Sequence, residues 1–318
     1  MFNLSKELKQ NYGTHRSGWS YAVNCLKPLN NVDSPELISF VEKKFIFGKE
    51  PGDRLCDFQN ITRPWVGFMH VPVYVPQWFF GHYSPVHLLK DSEFNAALSH
   101  CKGLFTLSSP LSRWLASKLD VPISAVLHPT ENVTQKFNPE AYFANEKKTV
   151  IQLGWWLRKL HAIHQLDLPN DKFVKKTIWL SKPYQQQTIL MEKSVFNFGE
   201  FSEDIEYLGF MDDDLYDKEL SKSVVFVDFY DTAANNAVIE CIVRAVPILC
   251  RPLQAVVDYL GVEYPFYYQD YDEARRKLMS KDLVIQAHEY LLQSGIANKL
   301  TPEYFIRSIR NSKVMCEN

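Results

Sequence analysis

The chain has 318 residues, 46% of them hydrophobic and 23% charged, with a formal net charge of −2 and a pI near 6.5. That length accommodates two domains of ordinary size, each with its own core. The composition excludes a disordered or low-complexity chain, and the charge excludes a globally basic footprint for nucleic acid or anionic lipid.

Short β-rich apolar runs alternate with longer amphipathic ones, the pattern of an α/β protein with parallel sheets. In the first half, PWVGFMH (64–70) reads as a buried strand and GLFTL (103–107) as another. The helix PLSRWLASKLD (110–120) follows, with Pro110 suited to a first turn, and ISAVLHP (123–129) is a third strand. A polar stretch without clear period, 131–148, contains Pro139 and places a domain boundary near residue 145. The alternation then restarts. TVIQLG (149–154) is a strand, WWLRKLHAIHQL (155–166) a helix, and KTIWLS (176–181) and IEYLGF (205–210) are strands. DDLYDKELSKS (213–223) reads as a helix, VVFVDF (224–229) as a strand, NNAVIECIVRA (235–245) as a helix, PILC (247–250) as a strand and PLQAVVDYLG (252–261) as a helix. A last helix, 301–315, opens on the cap and first-turn pair Thr301-Pro302.

No apolar run approaches the roughly 20 residues that cross a bilayer, and the N-terminus lacks the layout of a signal peptide. A cytoplasmic location is therefore expected, with peripheral membrane contact left open. The six cysteines (Cys25, Cys56, Cys101, Cys241, Cys250, Cys316) form no CxxC pair and read as reduced, mostly buried thiols.

Ligands of open α/β sheets bind outside the carboxyl ends of strands, which directs attention to the loops there. In YDTAANNAVIEC (230–241) a strand gives way to a small polar loop and then a helix that Asn235 or Asn236 caps, a ready anion site. Asn236, Glu240 and Arg244 share the face opposite the apolar stripe. Glu240 could accept hydrogen bonds from a ribose diol, or form a surface ion pair with Arg244; spacing leaves both open. In GWWLRKLH (154–161), Gly154 ends a strand and Arg158 and Lys159 enter the next helix at its dipole-disfavoured end. They either face a diphosphate or form a solvated basic face. Lys182 is a further cation of this kind. His70 closes the strand WVGFMH and is either a core histidine or a reacting-centre group. Gly13 and Gly18 frame the loop NYGTHRSGWS, which either approaches a ligand closely or is a surface turn. The acidic run MDDDLYD (211–217) fits a helix start, with Asp212 and Asp214 at the favoured end, and no metal site is expected.

Together, the strand–G–x–x–x–R–K succession, EYLGFMDDDLYDKELSKSVVFVDF and AANNAVIECIVRAVPIL resemble the donor domain of GT-B glycosyltransferases, most closely the retaining group called family 4. FTLSSPLSRWLASKLDVPISAVLHPT resembles that family's close of the acceptor domain. The resemblance implies two Rossmann-like domains facing each other across a cleft: 1–145 on the acceptor side, 146–300 on the donor side. The helix 301–318 would cross back to the first. It further implies that Glu240 binds the donor ribose, that Arg158 and Lys159 hold the diphosphate, and that Asn235 and Asn236 lie at the helix end near the phosphates. His70 resembles the histidine near the transferred sugar and Gly13–Gly18 the first glycine loop. Where the family usually carries a second glutamate, this chain has Thr232, and the adjacent carboxylate is Asp231. The implied activity is metal-independent transfer of a sugar from a nucleotide-sugar donor to an acceptor, a glycan above others, with retention and with no cofactor. A nucleotide-sugar epimerase and a non-catalytic sugar-nucleotide-binding subunit are the alternatives on the same fold.

Overall fold

The computed structural model describes residues 1–10, 12, 16–46, 61–178, 182–198 and 204–316. It is an α/β protein that divides into two compact units. The first comprises Met1–Glu131, Asp231–Asn236 and Asn298–Asn318, and the second Asn132–Tyr230 and Ala237–Ala297.

In the first unit, four parallel strands lie in chain order: β1 (Glu36–Ile38), β2 (Trp65–Met69), β3 (Cys101–Thr106) and β4 (Ile123–Ala125). The continuous apolar run of β2 follows from burial on both faces. Val66 and Phe68 enter a cluster with Trp19, Phe105, Phe305 and Ile309, while Trp65 and Met69 enter another with Val41, Phe45 and Phe94. Gly67 is required by close packing: a Cβ there would come 2.4 Å from Val41 Cγ2 and 2.8 Å from the Trp65 ring. The last helix, Pro302–Arg310, is capped by the Thr301 hydroxyl, which accepts from Tyr304 N–H at 3.2 Å. It stops at Asn311, and a separate turn, Lys313–Cys316, follows; the sequence had suggested one helix.

The second unit holds β5 (Lys148–Gln152), β6 (Phe173–Ile178), β7 (Ile205–Leu208), β8 (Ser223–Phe226) and β9 (Ile248–Leu249), all parallel, in the order β7-β6-β5-β8-β9. This is the doubly wound Rossmann-like order, in which the chain reverses direction across the sheet between β5 and β8. Residues 132–144 pack with this unit, ahead of the boundary expected near 145. Phe137 N–H donates to Arg244 O at 2.9 Å, Asn138 N–H donates to Ser221 O at 2.8 Å, and the Phe137 ring meets His288 at 5.3 Å.

One expected helix is corrected. Residues 153–161 form an irregular loop, and only Ala162–Gln165 is helical. Gly154 (φ +77°) and Leu157 (φ +55°) both sit in the left-handed region, which no α-helix tolerates, and Arg158 forms a β-bridge with Phe229. Among the described residues the cysteines are free thiols; Cys101, Cys241 and Cys250 are buried and Cys316 is exposed, while Cys56 lies outside the described residues.

Candidate anion and ribose site at the carboxyl edge of the second sheet

The loop after β5 and the segment after β8 flank the reversal point of the second sheet, and several of the candidate side chains lie there. Arg158 is 9% exposed, its Nη1 donates to Trp156 O at 2.6 Å, and its guanidinium lies 5.7 Å from the Phe229 ring centroid. Burial pulls it down to about 10, an effect that Tyr216 and Glu240 oppose by charge, so it stays protonated at neutral pH. Lys159 is anchored twice to Asp228: its N–H donates to the backbone carbonyl at 2.9 Å, and its Nζ meets Oδ2 at 3.1 Å.

The loop itself is held from below by Glu192, a fully buried carboxylate of the helix Pro183–Phe196. Oε1 accepts from Leu160 N–H at 3.0 Å and from the Tyr230 hydroxyl at 2.6 Å. Oε2 accepts from His161 N–H at 3.0 Å and pairs with His161 Nδ1 at 3.1 Å. Because a buried carboxylate needs donors on both oxygens, these contacts fix the backbone that presents Arg158 and Lys159.

The helix Asn236–Arg244 is buried along its whole length from Ala237 on, so Glu240 and Arg244 lie inside the unit and not on a solvated face. The surface ion pair between Glu240 and Arg244 does not form. Arg244 instead pairs with Asp217, with Nε and Nη2 at 2.8 and 2.7 Å from Oδ1. Glu240 Oε2 accepts from the Tyr216 hydroxyl at 2.5 Å, and that hydroxyl is held protonated by burial and by the glutamate's charge. Asn236 is the first residue of the helix and Asn235, buried, precedes it. Lys182 stands apart: it is exposed ahead of Pro183, its N–H donates to Gln185 Oε1 at 3.1 Å, and no ion pair among the described residues ties it to the loop.

Asp228, Arg251, Tyr216, Tyr271 and Glu192 escaped the sequence reading. Only Asp228 carried a signal, an acid at the close of the apolar run VVFVD. Asp212 caps its helix as expected, accepting from Leu215 N–H at 2.9 Å. Among the described residues no group of three or more His, Cys, Asp or Glu is arranged to hold a metal ion.

In the first unit, His70 directly follows β2. Its ring stacks on Phe40 and meets Trp19 edge-on, both at 4.2 Å, and Nε2 lies 2.8 Å from Ser39 O. A carbonyl only accepts, so Nε2 carries the hydrogen and, in the neutral ring, Nδ1 is the acceptor. Burial among these rings pulls the imidazole down to about 3. Below it, Glu42 Oε1 accepts from His70 and Val71 N–H, both at 2.8 Å, and burial pushes this carboxyl up to about 7.

The two groups act in opposite pH windows. The stability from His70 is full above its ordinary 6.5 and is lost as pH falls toward about 3, because the unfolded chain takes up the proton first. That from Glu42 is full below its ordinary 4.5 and is lost as pH rises through about 7. Glu42→Gln keeps an acceptor for both N–H groups. It is expected to gain on the parent by a few kcal/mol between pH 4.5 and 7, at about 1.4 kcal/mol per pKa unit. Thermal unfolding across that range checks this, and parallel stability curves contradict it.

Asp231 also lies in the first unit. Its Oδ2 accepts from Tyr74 N–H at 3.0 Å and its Oδ1 from Thr232 N–H at 2.8 Å, and burial raises its pKa. Gly18 begins the helix Trp19–Cys25 with an ordinary φ of −84°, and Arg16 pairs with Glu131 at 2.7 Å. Gly13 lies outside the described residues.

No protein-family model matches this sequence, and no curated protein matches it. Solved structures do match in fold. HepE from Anabaena, solved with UDP-glucose, superposes with a TM-score of 0.58 at 10% identity, over 78% of this chain and 71% of HepE. Sucrose-phosphate synthase from Thermosynechococcus elongatus gives 0.58 at 12% identity, over 77% of this chain and 66% of its own. TarM gives 0.58 at 14% identity over 92% of this chain, which spans 57% of TarM. At these identities the likeness is one of fold, two Rossmann-like domains with parallel sheets.

Proposed function

We propose that this chain is a GT-B glycosyltransferase that moves a sugar from a nucleoside-diphosphate sugar onto an acceptor, a glycan above others, without a metal and with retention at the anomeric carbon. The observation that carries the reading is the placing of Arg158, on which Glu240 acts by charge, and of its neighbour Lys159 after the carboxyl end of β5, in a sheet whose order reverses between β5 and β8. The fold neighbours support it: one was solved with UDP-glucose, and others are a sucrose-phosphate synthase and UDP-forming trehalose-phosphate synthases. No helix among the described residues is long and apolar enough to cross a membrane, and a cytoplasmic site of action is part of the proposal.

In this reading the bond from the anomeric carbon to the diphosphate breaks, and negative charge grows on the leaving phosphate. Arg158 and Lys159, already held in place, stabilise that charge without reorganising at the moment of reaction. The N–H groups at the amino end of the helix Asn236–Arg244, beside Asn235 and Asn236, add to the same field. Glu240, oriented by Tyr216, accepts hydrogen bonds from the ribose diol. The transferred sugar is assigned, by the resemblance of their positions, to neutral His70, with Nδ1 as acceptor, and to Asp231. Gly13, Gly18 and Lys182 complete the donor-binding set on the same basis.

The test is incubation with UDP-, GDP-, ADP- and dTDP-sugars, with and without oligosaccharide acceptors. The expected result is release of one nucleoside diphosphate, with the sugar recovered on an acceptor. An isomerised donor formed without any acceptor would instead identify an epimerase. Binding with no turnover under any acceptor would identify a non-catalytic subunit.

A further inference from the structure

Behind Lys159 lies a second cation that the sequence reading did not find. Asp228, fully buried at the end of β8, accepts from Lys159 Nζ at 3.1 Å, from the Tyr271 hydroxyl at 3.1 Å, and from Arg251 Nε at 3.1 and 3.2 Å through its two oxygens. Arg251 immediately follows β9 and its neighbour Cys250, so the cluster joins the carboxyl ends of three strands, β5, β8 and β9. The guanidinium is further fixed by Nη1 donating to Gln269 O, and by the rings of Tyr268 and Tyr271 at 5.2 and 6.0 Å.

The exposure is graded. Asp228 is 0% exposed, whereas the Lys159 and Arg251 side chains are 26% and 30% exposed, so the carboxylate lies at the bottom and the two cations reach outward. The carboxylate carries one negative charge, and it is shared by two cations and a phenol. The Lys159 ammonium has three N–H donors, and Asp228 is the only acceptor it uses among the described residues. Two cations therefore share the one carboxylate of Asp228, both part-exposed, and Lys159 keeps spare donors, one residue along the chain from Arg158.

We propose that Asp228 is a positioning residue that sets Lys159 and Arg251 as a paired cation clamp for the donor's diphosphate, with Arg251 a direct phosphate contact. The inference rests on the donor-binding reading above. It assigns binding to a residue outside the loop 154–161, and it gives Asp228 its effect through the two cations, since the carboxylate itself repels phosphate.

The probes are inorganic pyrophosphate, then UDP, GDP and ADP, and their nucleosides, titrated calorimetrically into the parent, Arg251→Gln, Asp228→Asn and the double variant. Arg251→Gln is expected to weaken pyrophosphate and the preferred nucleoside diphosphate by about tenfold or more while leaving the nucleoside unchanged, since one charge-assisted contact is lost. Asp228→Asn is expected to weaken the same ligands in the parent background and to add little once Arg251 is gone, the non-additivity of residues that act through one another. Should Asp228→Asn fail to fold, the partly exposed Arg251 variant decides alone. Unchanged pyrophosphate and diphosphate affinity in Arg251→Gln overturns the clamp while leaving the donor reading standing. A parent that binds no diphosphate at all overturns both.

Discussion

Gly154→Ala is expected to abolish most donor use without removing a single charge. An added Cβ would come 2.8 Å from the Cζ, Nε and Nη2 atoms of Arg158, at a residue whose φ of +77° already disfavours any side chain. The left-handed conformation alone costs about 1 kcal/mol for alanine. Relief of the clash requires the guanidinium to shift from its place against Phe229 and Trp156 O. In the proposed reading a displaced cation is drawn away from the charge growing on the leaving phosphate, and loss of one such preorganised donor costs about 10²–10³-fold in rate. Steady-state kinetics on the preferred donor, beside a thermal melt, check this. A melt lowered only slightly with kcat/KM unchanged contradicts the role given to Arg158. Arg158→Ala combined with Gly154→Ala is expected to be no worse than Arg158→Ala alone.

The second large effect is expected at Glu240. Glu240→Gln keeps the shape of the side chain and a partner for the buried Tyr216 hydroxyl, but removes the charge that strengthens hydrogen bonds to a ribose diol. Affinity for the nucleoside diphosphate and for the free nucleoside is expected to fall together, by about tenfold to a hundredfold, with pyrophosphate binding untouched. Glu240→Ala would also leave the Tyr216 hydroxyl buried without its acceptor, at about 1–3 kcal/mol of stability, which makes Gln the cleaner variant. Loss of pyrophosphate binding in Glu240→Gln contradicts the division of labour between ribose and phosphate groups.

What was legible in the sequence followed from periodicity. β2 and β8 are buried along their whole length and β3 and β5 along all but one residue, and the helices Ser109–Ala116 and Asp213–Leu220 carry their own start signals. Arg158, Lys159 and Glu240 were singled out because they lie in the segments that follow strands, the loop after β5 and the helix after β8. The irregular loop 153–161 was not legible, because WWLRKLH has helical spacing while its conformation is decided by Gly154, Leu157 and contacts to Glu192 over thirty residues away in the chain. The helix Pro183–Phe196 was missed for a related reason. Leu190, Met191, Val195 and Phe196 are exposed, so no apolar stripe announces it. Arg244 shows the limit for pairing: Glu240 lies one turn away, yet the arginine turns to Asp217 from a different helix, a choice set by tertiary packing.

In the proposed reading, the carboxyl edge of the second sheet holds a nucleoside diphosphate through Arg158, Lys159 and Glu240. Calorimetric titration of UDP, GDP, ADP and dTDP into the parent protein tests it most directly. One of the four is expected to bind with a Kd well below about 1 mM, that is, tighter than about −4 kcal/mol. That binding is expected to weaken on raising salt and to be lost in a Gly154→Ala, Glu240→Gln double variant that still melts cooperatively. No heat from any nucleotide, or binding that survives both substitutions, contradicts it.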